Sequence, residues 1–236
     1  MLTPSSHPLR ADPRSDSDLV RSLLAGDATA FETIMRRHNR LMFRSARAIV
    51  GDDAEAQDVV QEAYLRAFMN LAAWRSEAAL STWLARIAIH VALSVRRKKK
   101  PWIEFGQPDD AADDRLESAM MSSEDHPSDP QAQAARAQMR RLLERSIDRL
   151  PPLYRSVFML RAVEGFSVEE TATTLAVTPE VVKTRFLRAR ALLRDFLGAE
   201  VNLPANELYA FAGARCDAVV ATVLAALHAR GLIRAH

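Results

Sequence analysis

The stretch SVEETATTLAVTPEVVKTRFLRARALLRDFL, residues 167–197, carries start signals for two consecutive helices. Ser167 and Glu170 form the S-x-x-E pattern of a capping box, in which each side chain accepts a hydrogen bond from the backbone amide of the other residue. Thr178 offers a second N-cap, and Pro179 follows at the first helical position, where an amide hydrogen is not needed. Two helices joined by about three residues predict a helix-turn-helix.

The second of these helices has two unlike faces when it is turned by 100° per residue. Its apolar seam consists of Val182, Phe186, Ala189, Leu193 and Phe196. The opposite face presents Lys183, Thr184, Leu187 and Arg188, with Arg185 and Arg190 at the flanks. Such a face suits base edges in the major groove, because Arg and Lys meet guanine acceptors while Thr and Leu meet the thymine methyl. We expect Arg185, Arg190 and Arg194 to contact phosphates. The alternative is a solvated amphipathic helix with a basic face.

The composition favours an all-α protein and makes several other classes improbable. Only 7 of the 236 residues are Gly, and long stretches are rich in Ala, Leu, Arg and Glu. The single cysteine excludes an internal disulfide. The chain has neither an apolar signal segment nor a run of eighteen apolar residues, so we expect a cytoplasmic protein without membrane insertion. It also lacks a Gly-rich phosphate loop, metal-ligand spacing and a nucleophile constellation, so we expect no enzyme, metal or cofactor.

Changes in composition divide the chain into five segments. Between residues 104 and 130, nine acidic residues stand against one basic residue, together with three prolines, which is typical of a flexible linker. The predicted segments are a disordered N-terminus (1–17), a helical domain (18–100), the acidic linker (101–132), a second helical domain with the helix-turn-helix (133–198) and a C-terminal helical extension (199–236).

The last helix of the first domain, STWLARIAIHVALSVRRKKK at residues 81–100, interleaves aromatic and basic side chains. One stripe of this helix carries Trp83, Arg86, His90, Ser94 and Arg97. Aromatic rings stack on unpaired bases and basic groups hold the backbone, which are the two ingredients of single-strand binding. The alternative is that Trp74 and Trp83 belong to the core.

Two long blocks together resemble the extracytoplasmic-function sigma factors of bacterial RNA polymerase. The first is DAEAQDVVQEAYLRAFMNLAAWRSEAALSTWLARIA, residues 53–88. The second is RLPPLYRSVFMLRAVEGFSVEETATTLAVTPEVVKTRFLRARALLR, residues 149–194. They occur in the order that the family shows, separated by a variable linker, and the resemblance covers about residues 20 to 197.

The resemblance implies a subunit that binds core RNA polymerase and directs promoter-specific initiation. The first domain would correspond to sigma region 2 and the second to sigma region 4, which recognises the upstream (−35-type) duplex element. Residues at positions that dock on the polymerase clamp would be Asp58, Gln61, Glu62 and Phe68. Residues that melt the downstream (−10-type) element and hold a flipped base of the non-template strand would be Trp74, Arg75, Ser76, Trp83, Arg86, His90 and Arg97. The implied partners are core polymerase, promoter DNA as duplex and single strand, and an anti-sigma factor.

The chain departs from the family pattern at two positions of the stripe. The family often has Asn where this chain has His90 and Asp where it has Ser94, which leaves the base preference open. Two other functions also stay open. One is a free-standing helix-turn-helix regulator with a sensing or dimerising N-terminal part, and the other is an interaction protein that has kept the sigma shape but does not open promoters.

Overall fold

The computed structural model describes residues 12–75, 78–99, 130–197, 208–209 and 211–233. Within these ranges the chain is helical and contains no strand, which confirms the all-α prediction. The helices are α1 (Asp16–Leu24), α2 (Ala28–Val50), α3 (Asp53–Asn70), α4 (Leu80–Lys99), α5 (Pro130–Arg149), α6 (Pro152–Phe158), α7 (Val168–Leu175), α8 (Pro179–Leu197) and α9 (Ala214–Ala229). A 3-10 turn (Leu71–Ala73) follows α3 and a π-helical turn (Met159–Val163) follows α6. Among the helices described, none has the length and apolar character needed to cross a bilayer.

The first domain is built around α2, which packs against α1, α3 and α4. Asp27 caps the start of α2 by accepting a hydrogen bond from the Thr29 amide at 3.0 Å. Gly51 ends the helix in the left-handed conformation with φ 83°, where a side chain would be strained. Asp52 then caps α3 through the Glu55 amide at 2.9 Å. The buried apolar side chains of α3 and of the turn that follows it include Ala56, Val59, Val60, Ala63, Ala67 and Leu71.

The second domain consists of α5 to α8, with α8 packed on α5, α6 and α7. The helical chain is interrupted at the pair Pro151 and Pro152, since α5 ends at Arg149 and α6 begins at Pro152. A proline inside a helix removes one hydrogen bond and clashes with the preceding turn, so the chain changes direction there. The core of this domain includes Ile147, Leu150, Met159, Ala189 and Leu193.

The two domains contact each other along the C-terminal half of α2. Arg155 of α6 donates from Nε to the Ala48 carbonyl at 2.7 Å. Arg44 of α2 is 1% exposed and pairs with Glu164 at 3.0 Å. A hydrogen bond of 3.3 Å also joins Thr82 of α4 to Glu170 of α7. The helix-turn-helix therefore lies beside the helix that carries the aromatic and basic stripe.

Two predicted boundaries are wrong by a few residues. The predicted disordered segment 1–17 is too long, because Ser15 caps α1 in a capping box with Asp18. Asp16 is also held in place, through an ion pair of 2.6 Å with Arg37. Most of the predicted linker lies outside the described residues, but its end at 132 is too late, because α5 begins at Pro130. Proline is favoured at a first helical position, and this explains the earlier start.

We predict that Gly51→Ala lowers the free energy of unfolding more than Gly165→Ala does. Both glycines have positive φ, 83° and 72°, so each alanine carries conformational strain of about 1–2 kcal/mol. A Cβ at Gly51 would in addition lie 3.1 Å from Nη2 of the buried Arg155, whereas a Cβ at Gly165 meets nothing within 4 Å. Urea unfolding measures both losses, and equal losses would show that Arg155 yields without cost.

Candidate nucleic-acid interface

The helix-turn-helix is formed by α7 and α8 through the caps that its sequence contains. The Ser167 hydroxyl accepts a hydrogen bond from the Glu170 amide at 3.0 Å, and the Glu170 carboxylate accepts one from the Ser167 amide at 2.8 Å. Ala176 closes α7 in the left-handed conformation with φ 54°. The Thr178 hydroxyl then accepts from the Val181 amide at 3.4 Å. Three residues separate the helices, so the predicted motif is confirmed.

The outward face of α8 presents basic side chains from its second turn to its last. Lys183 and Arg188 are exposed on this face, while Thr184, Leu187 and Arg190 are half-buried. The Thr184 hydroxyl donates to the Glu180 carbonyl at 3.0 Å, which leaves its methyl group and its oxygen lone pairs for other contacts. On the opposite side, Val182, Ala189 and Leu193 are buried as the seam requires. This geometry gives the domain a basic ridge that can enter a groove of duplex DNA.

The prediction that Arg185 contacts a phosphate is wrong in this structure. Its side chain is 1% exposed and ranks among the largest fully buried side chains of the protein. Arg185 lies next to the apolar seam of α8, the side on which this helix packs against α5, α6 and α7. Its aliphatic stem can serve as packing surface, which a helical wheel based on charge alone does not reveal.

The stripe on α4 is exposed along its length. Arg86, His90, Ser94 and Arg97 are exposed, and Trp83 is half-buried against the core of the first domain. Partial burial, together with the positive charges of Arg86 and Arg97, lowers the pKa of His90 below its ordinary value of 6.5. This lowering of the pKa favours the neutral ring, which can both donate and accept a hydrogen bond.

A second indole, that of Trp74, lies in the loop that precedes α4 in the sequence. Trp74 follows the 3-10 turn at Leu71–Ala73, is half-buried against the core, and donates from Nε1 to the Ala78 carbonyl at 3.2 Å. Both tryptophans thus have a packed side and an accessible side, so the core alternative accounts for only part of each ring. Arg75 is exposed, whereas Ser76 lies outside the described residues.

The basic run at the end of α4 is only partly available, which sequence reasoning missed. Arg96 donates to the Ile49 carbonyl of α2 at 2.5 Å, and Lys99 pairs with Glu55 of α3. Arg97 and Lys98 stay exposed. Because the carbonyl of Ile49 belongs to the end of α2, a helical wheel of α4 alone carries no signal for this contact.

A third surface lies on α3. Asp58 and Glu62 are exposed on it, and Gln61 is half-buried beside them. Glu62 forms an ion pair with Arg66 one helical turn later at 2.7 Å. Phe68 is half-buried, with its ring 5.1 Å from that of Phe31 in an edge-to-face arrangement. The face is acidic along its centre and aromatic at one end, and it is suited to a protein rather than to DNA.

One domain thus carries a helix-turn-helix and the other an aromatic, basic stripe, and each domain matches a known family. The chain matches Sigma-70 region 2 over residues 34–101 and Sigma-70, region 4 over residues 140–193. It is 32% identical over 185 residues to the ECF RNA polymerase sigma factor SigM of Mycobacterium tuberculosis, covering 78% of this chain and 86% of SigM. It is 32% identical over 181 residues to the RNA polymerase sigma-H factor of Pseudomonas aeruginosa, covering 74% and 90%.

A solved structure shows the same fold. CnrH, in complex with the cytosolic domain of CnrY, aligns with a TM-score of 0.53 and 24% sequence identity over 79% of this chain and 99% of CnrH. This chain belongs to the extracytoplasmic-function sigma factors, the subunits that direct RNA polymerase to promoters. The resemblance on which the sequence analysis rested is therefore confirmed.

We predict that Lys183→Ala and Arg185→Ala separate DNA binding from stability. The exposed Lys183 contributes within about 0.5 kcal/mol to folding, whereas loss of the buried Arg185 costs about 2–4 kcal/mol. Chemical denaturation measures the difference. Equal stability of the two variants would contradict the buried position of Arg185.

Proposed function

We propose that this sigma factor reads the upstream (−35-type) duplex element with α8 and melts the downstream (−10-type) element with α4 and the loop before it. The observation that carries the proposal is the exposure of two basic faces on separate domains, only one of which contains tryptophan. A duplex and an unpaired strand require these different chemistries, because stacked bases in a duplex do not offer their ring faces.

On the upstream element, α8 would lie in the major groove with its N-terminal half towards the bases. Lys183 and Arg188 are the exposed donors for guanine, and Thr184 and Leu187 supply methyl groups for thymine. Arg190 and Arg194 lie further along the same helix and would contact phosphates on either side of the groove. Arg185 is excluded from this set because it is buried.

On the downstream element, the indoles of Trp74 and Trp83 would form a platform for an extruded base. Each ring is held on one side by the core, so little entropy is lost when a base stacks on the other side. Arg75, Ser76, Arg86 and Arg97 would hold the backbone of the displaced strand. Neutral His90 would add a donor and an acceptor to base recognition, where a charged ring could only donate.

The acidic face of α3 would dock on the clamp of the polymerase. Its contributors are Asp58, Gln61, Glu62 and Phe68. A central acidic stripe with an aromatic end combines electrostatic attraction with an apolar anchor, which is a frequent composition of protein interfaces. Because core polymerase and the chromosome occupy the bacterial cytoplasm, the protein would act there, as a binding subunit without an enzymatic reaction of its own.

We also expect an anti-sigma factor as a regulatory partner. The supporting observation is that CnrH, which shares the fold, was solved in complex with the cytosolic domain of another protein, CnrY. The alternative function, a free-standing helix-turn-helix regulator, leaves the match to Sigma-70 region 2 without a role.

We predict that substitutions on the two DNA surfaces produce different defects in the holoenzyme. Lys183→Ala and Arg188→Ala should each reduce protection of the upstream element by about tenfold, the effect of one lost base contact. Neither substitution should change transcription from a short template that carries only a downstream element that is already melted. Trp83→Ala should have the opposite effect on duplex DNA. Protection of the upstream element should persist, whereas the permanganate reactivity of downstream thymines should fall.

The matched control is Arg21→Ala on α1, whose side chain is 77% exposed and lies in neither surface. It should transcribe as the unchanged protein does. Identical defects in Lys183→Ala and Trp83→Ala would contradict the division of labour. Tight, specific promoter binding without polymerase would favour the free-standing regulator instead.

We predict that Glu62→Arg weakens binding to core polymerase by about tenfold or more, because it reverses charge at the centre of the proposed docking face. Asp195→Arg makes the same change at an exposed position near the end of α8 and should bind core polymerase normally. Fluorescence anisotropy with labelled sigma factor measures both affinities. Equal affinities would place the clamp contact elsewhere.

A further inference from the structure

The C-terminal residues 208–209 and 211–233, which we call the strap, contact both domains. Leu208 and Tyr209 pack in the core of the second domain, while Phe211 and α9 pack in the core of the first. Most of α9 lies against α2 and α3. Sigma-70 region 4 ends its match at residue 193, so the strap lies beyond both matched regions.

The first anchor of the strap is Tyr209, which sits between the domains. Its amide donates to the Glu144 carboxylate of α5 at 2.7 Å, and its hydroxyl lies 3.0 Å from the Asp148 carboxylate. The Arg47 guanidinium of α2 stacks over the same ring at 4.2 Å and pairs with Asp148. The carbonyl of Leu208 accepts a hydrogen bond from Arg44. Tyr209 thus joins α5 of the second domain to α2 of the first.

The second anchor is an aromatic and cationic cluster on the first domain. Phe211 stacks on Phe43 of α2 with the ring centroids 4.3 Å apart. The Arg215 guanidinium lies 4.7 Å from the Phe43 ring and 5.3 Å from the Phe211 ring. Arg215 also pairs with Asp53 at the start of α3 at 2.9 Å.

The third anchor is α9 itself, which buries one apolar face. Its buried side chains are Cys216, Val219, Val220, Val223 and Leu227. Asn39 of α2 donates to the Cys216 sulfur at 2.9 Å, and Arg36 pairs with Asp217 at 2.5 Å. The outward positions of α9 include the exposed Ala218, Ala221 and Ala225.

The end of the strap reaches the aromatic end of the proposed polymerase face. Leu232 and Ile233 line a cleft of about 400 Å³ together with Phe68 of α3. Leu232 is 45% exposed and is one of the large exposed apolar side chains of the protein. A partner that enters this cleft to reach Phe68 would therefore also contact Leu232 and Ile233.

We propose that the strap is a built-in clasp that keeps the two domains closed and covers part of the polymerase face, so that docking on core polymerase requires its release. This inference rests on the proposed docking face. In the closed state, α7 also lies against α4 through the bond between Glu170 and Thr82. The apparent affinity for polymerase is then lowered by the fraction of molecules that are open.

The energetics of the strap suit reversible release. Its rim contacts are ion pairs whose acidic partners are largely in water, with Asp217 59% exposed and Asp53 49% exposed. Such pairs contribute little to stability. The apolar contacts of α9 come from a single helix face, which packs into the core that the four helices of the first domain form.

The chain contains its own reporter for release. Cys216 is the only cysteine in the sequence and is buried at the contact between α9 and α2. An alkylating reagent reaches the thiol when α9 leaves, so the rate of alkylation measures the open population. We expect core polymerase to accelerate alkylation in the unmodified protein. Unchanged or slower alkylation in a sample where the two demonstrably co-elute would overturn the proposal.

Asp217→Arg tests the clasp without polymerase. It replaces the attraction to Arg36 by repulsion and should raise the alkylation rate about threefold or more, with tighter binding to core polymerase. Ala221→Arg adds the same side chain on the outward face of α9 and should change neither quantity. Arg36→Asp combined with Asp217→Arg should restore slow alkylation. Circular dichroism establishes that each variant is folded.

The outcomes separate this inference from the proposed function. The protein could fail to co-elute with core polymerase while Asp217→Arg and Ala221→Arg still show the alkylation rates predicted for them. That result would support the clasp and contradict the docking function. Faster alkylation of Asp217→Arg with no gain in polymerase affinity would show that the strap does not cover the docking face, and would overturn the proposal.

Discussion

The end of α2 is the constraint on which the arrangement of the two domains depends. The last carbonyl groups of a helix have no partner within it and must be satisfied from elsewhere. Here Arg155 of α6 donates to the Ala48 carbonyl at 2.7 Å and Arg96 of α4 donates to the Ile49 carbonyl at 2.5 Å. Burial lowers the pKa of Arg155, which shows what it costs to hold this charge away from water. One helix end thus positions both α4, which carries the proposed melting stripe, and α6, which supports the helix-turn-helix.

The contacts that guanidinium groups make between the two domains respond to separation of the domains differently from apolar contacts. Arg44, Arg47 and Arg155 recover their hydration when the domains separate, and so do Glu164 and Asp148. Opening also exposes apolar side chains of the second domain that share a core with the first, among them Val157, Leu160 and Phe166. This apolar part of the contact favours closure. The polar joint sets the geometry of the closed state, whereas the stacked rings of Phe43 and Phe211 and the apolar face of α9 add stability to it.

What could be predicted from the sequence was whatever is encoded within a few residues. The capping box of Ser167 and Glu170 and the stop at Gly51 are local devices, and the structure has them where the sequence indicates. The exposed stripe on α4 followed from helical periodicity alone. Arg185 was misplaced because a wheel records angles, not the depth of packing against α5 to α7. The contacts between the domains and those of the strap join residues far apart in the sequence, such as Arg44 with Glu164 at a separation of 120 positions, and no local pattern encodes them.

The three proposed surfaces differ in how accessible they are in the closed state. Lys183 and Arg188 on α8 are exposed in it, so the upstream element stays readable while the domains are together. The stripe on α4 has α7 at its start, where Glu170 bonds to Thr82. At the aromatic end of the face on α3, Leu232 and Ile233 line the same cleft as Phe68. A clasp with this geometry acts on the steps that need polymerase, docking and melting, and leaves duplex recognition untouched. Control of initiation through the strap would therefore act at the docking step, because a sigma factor that has not docked cannot bring polymerase to the promoter.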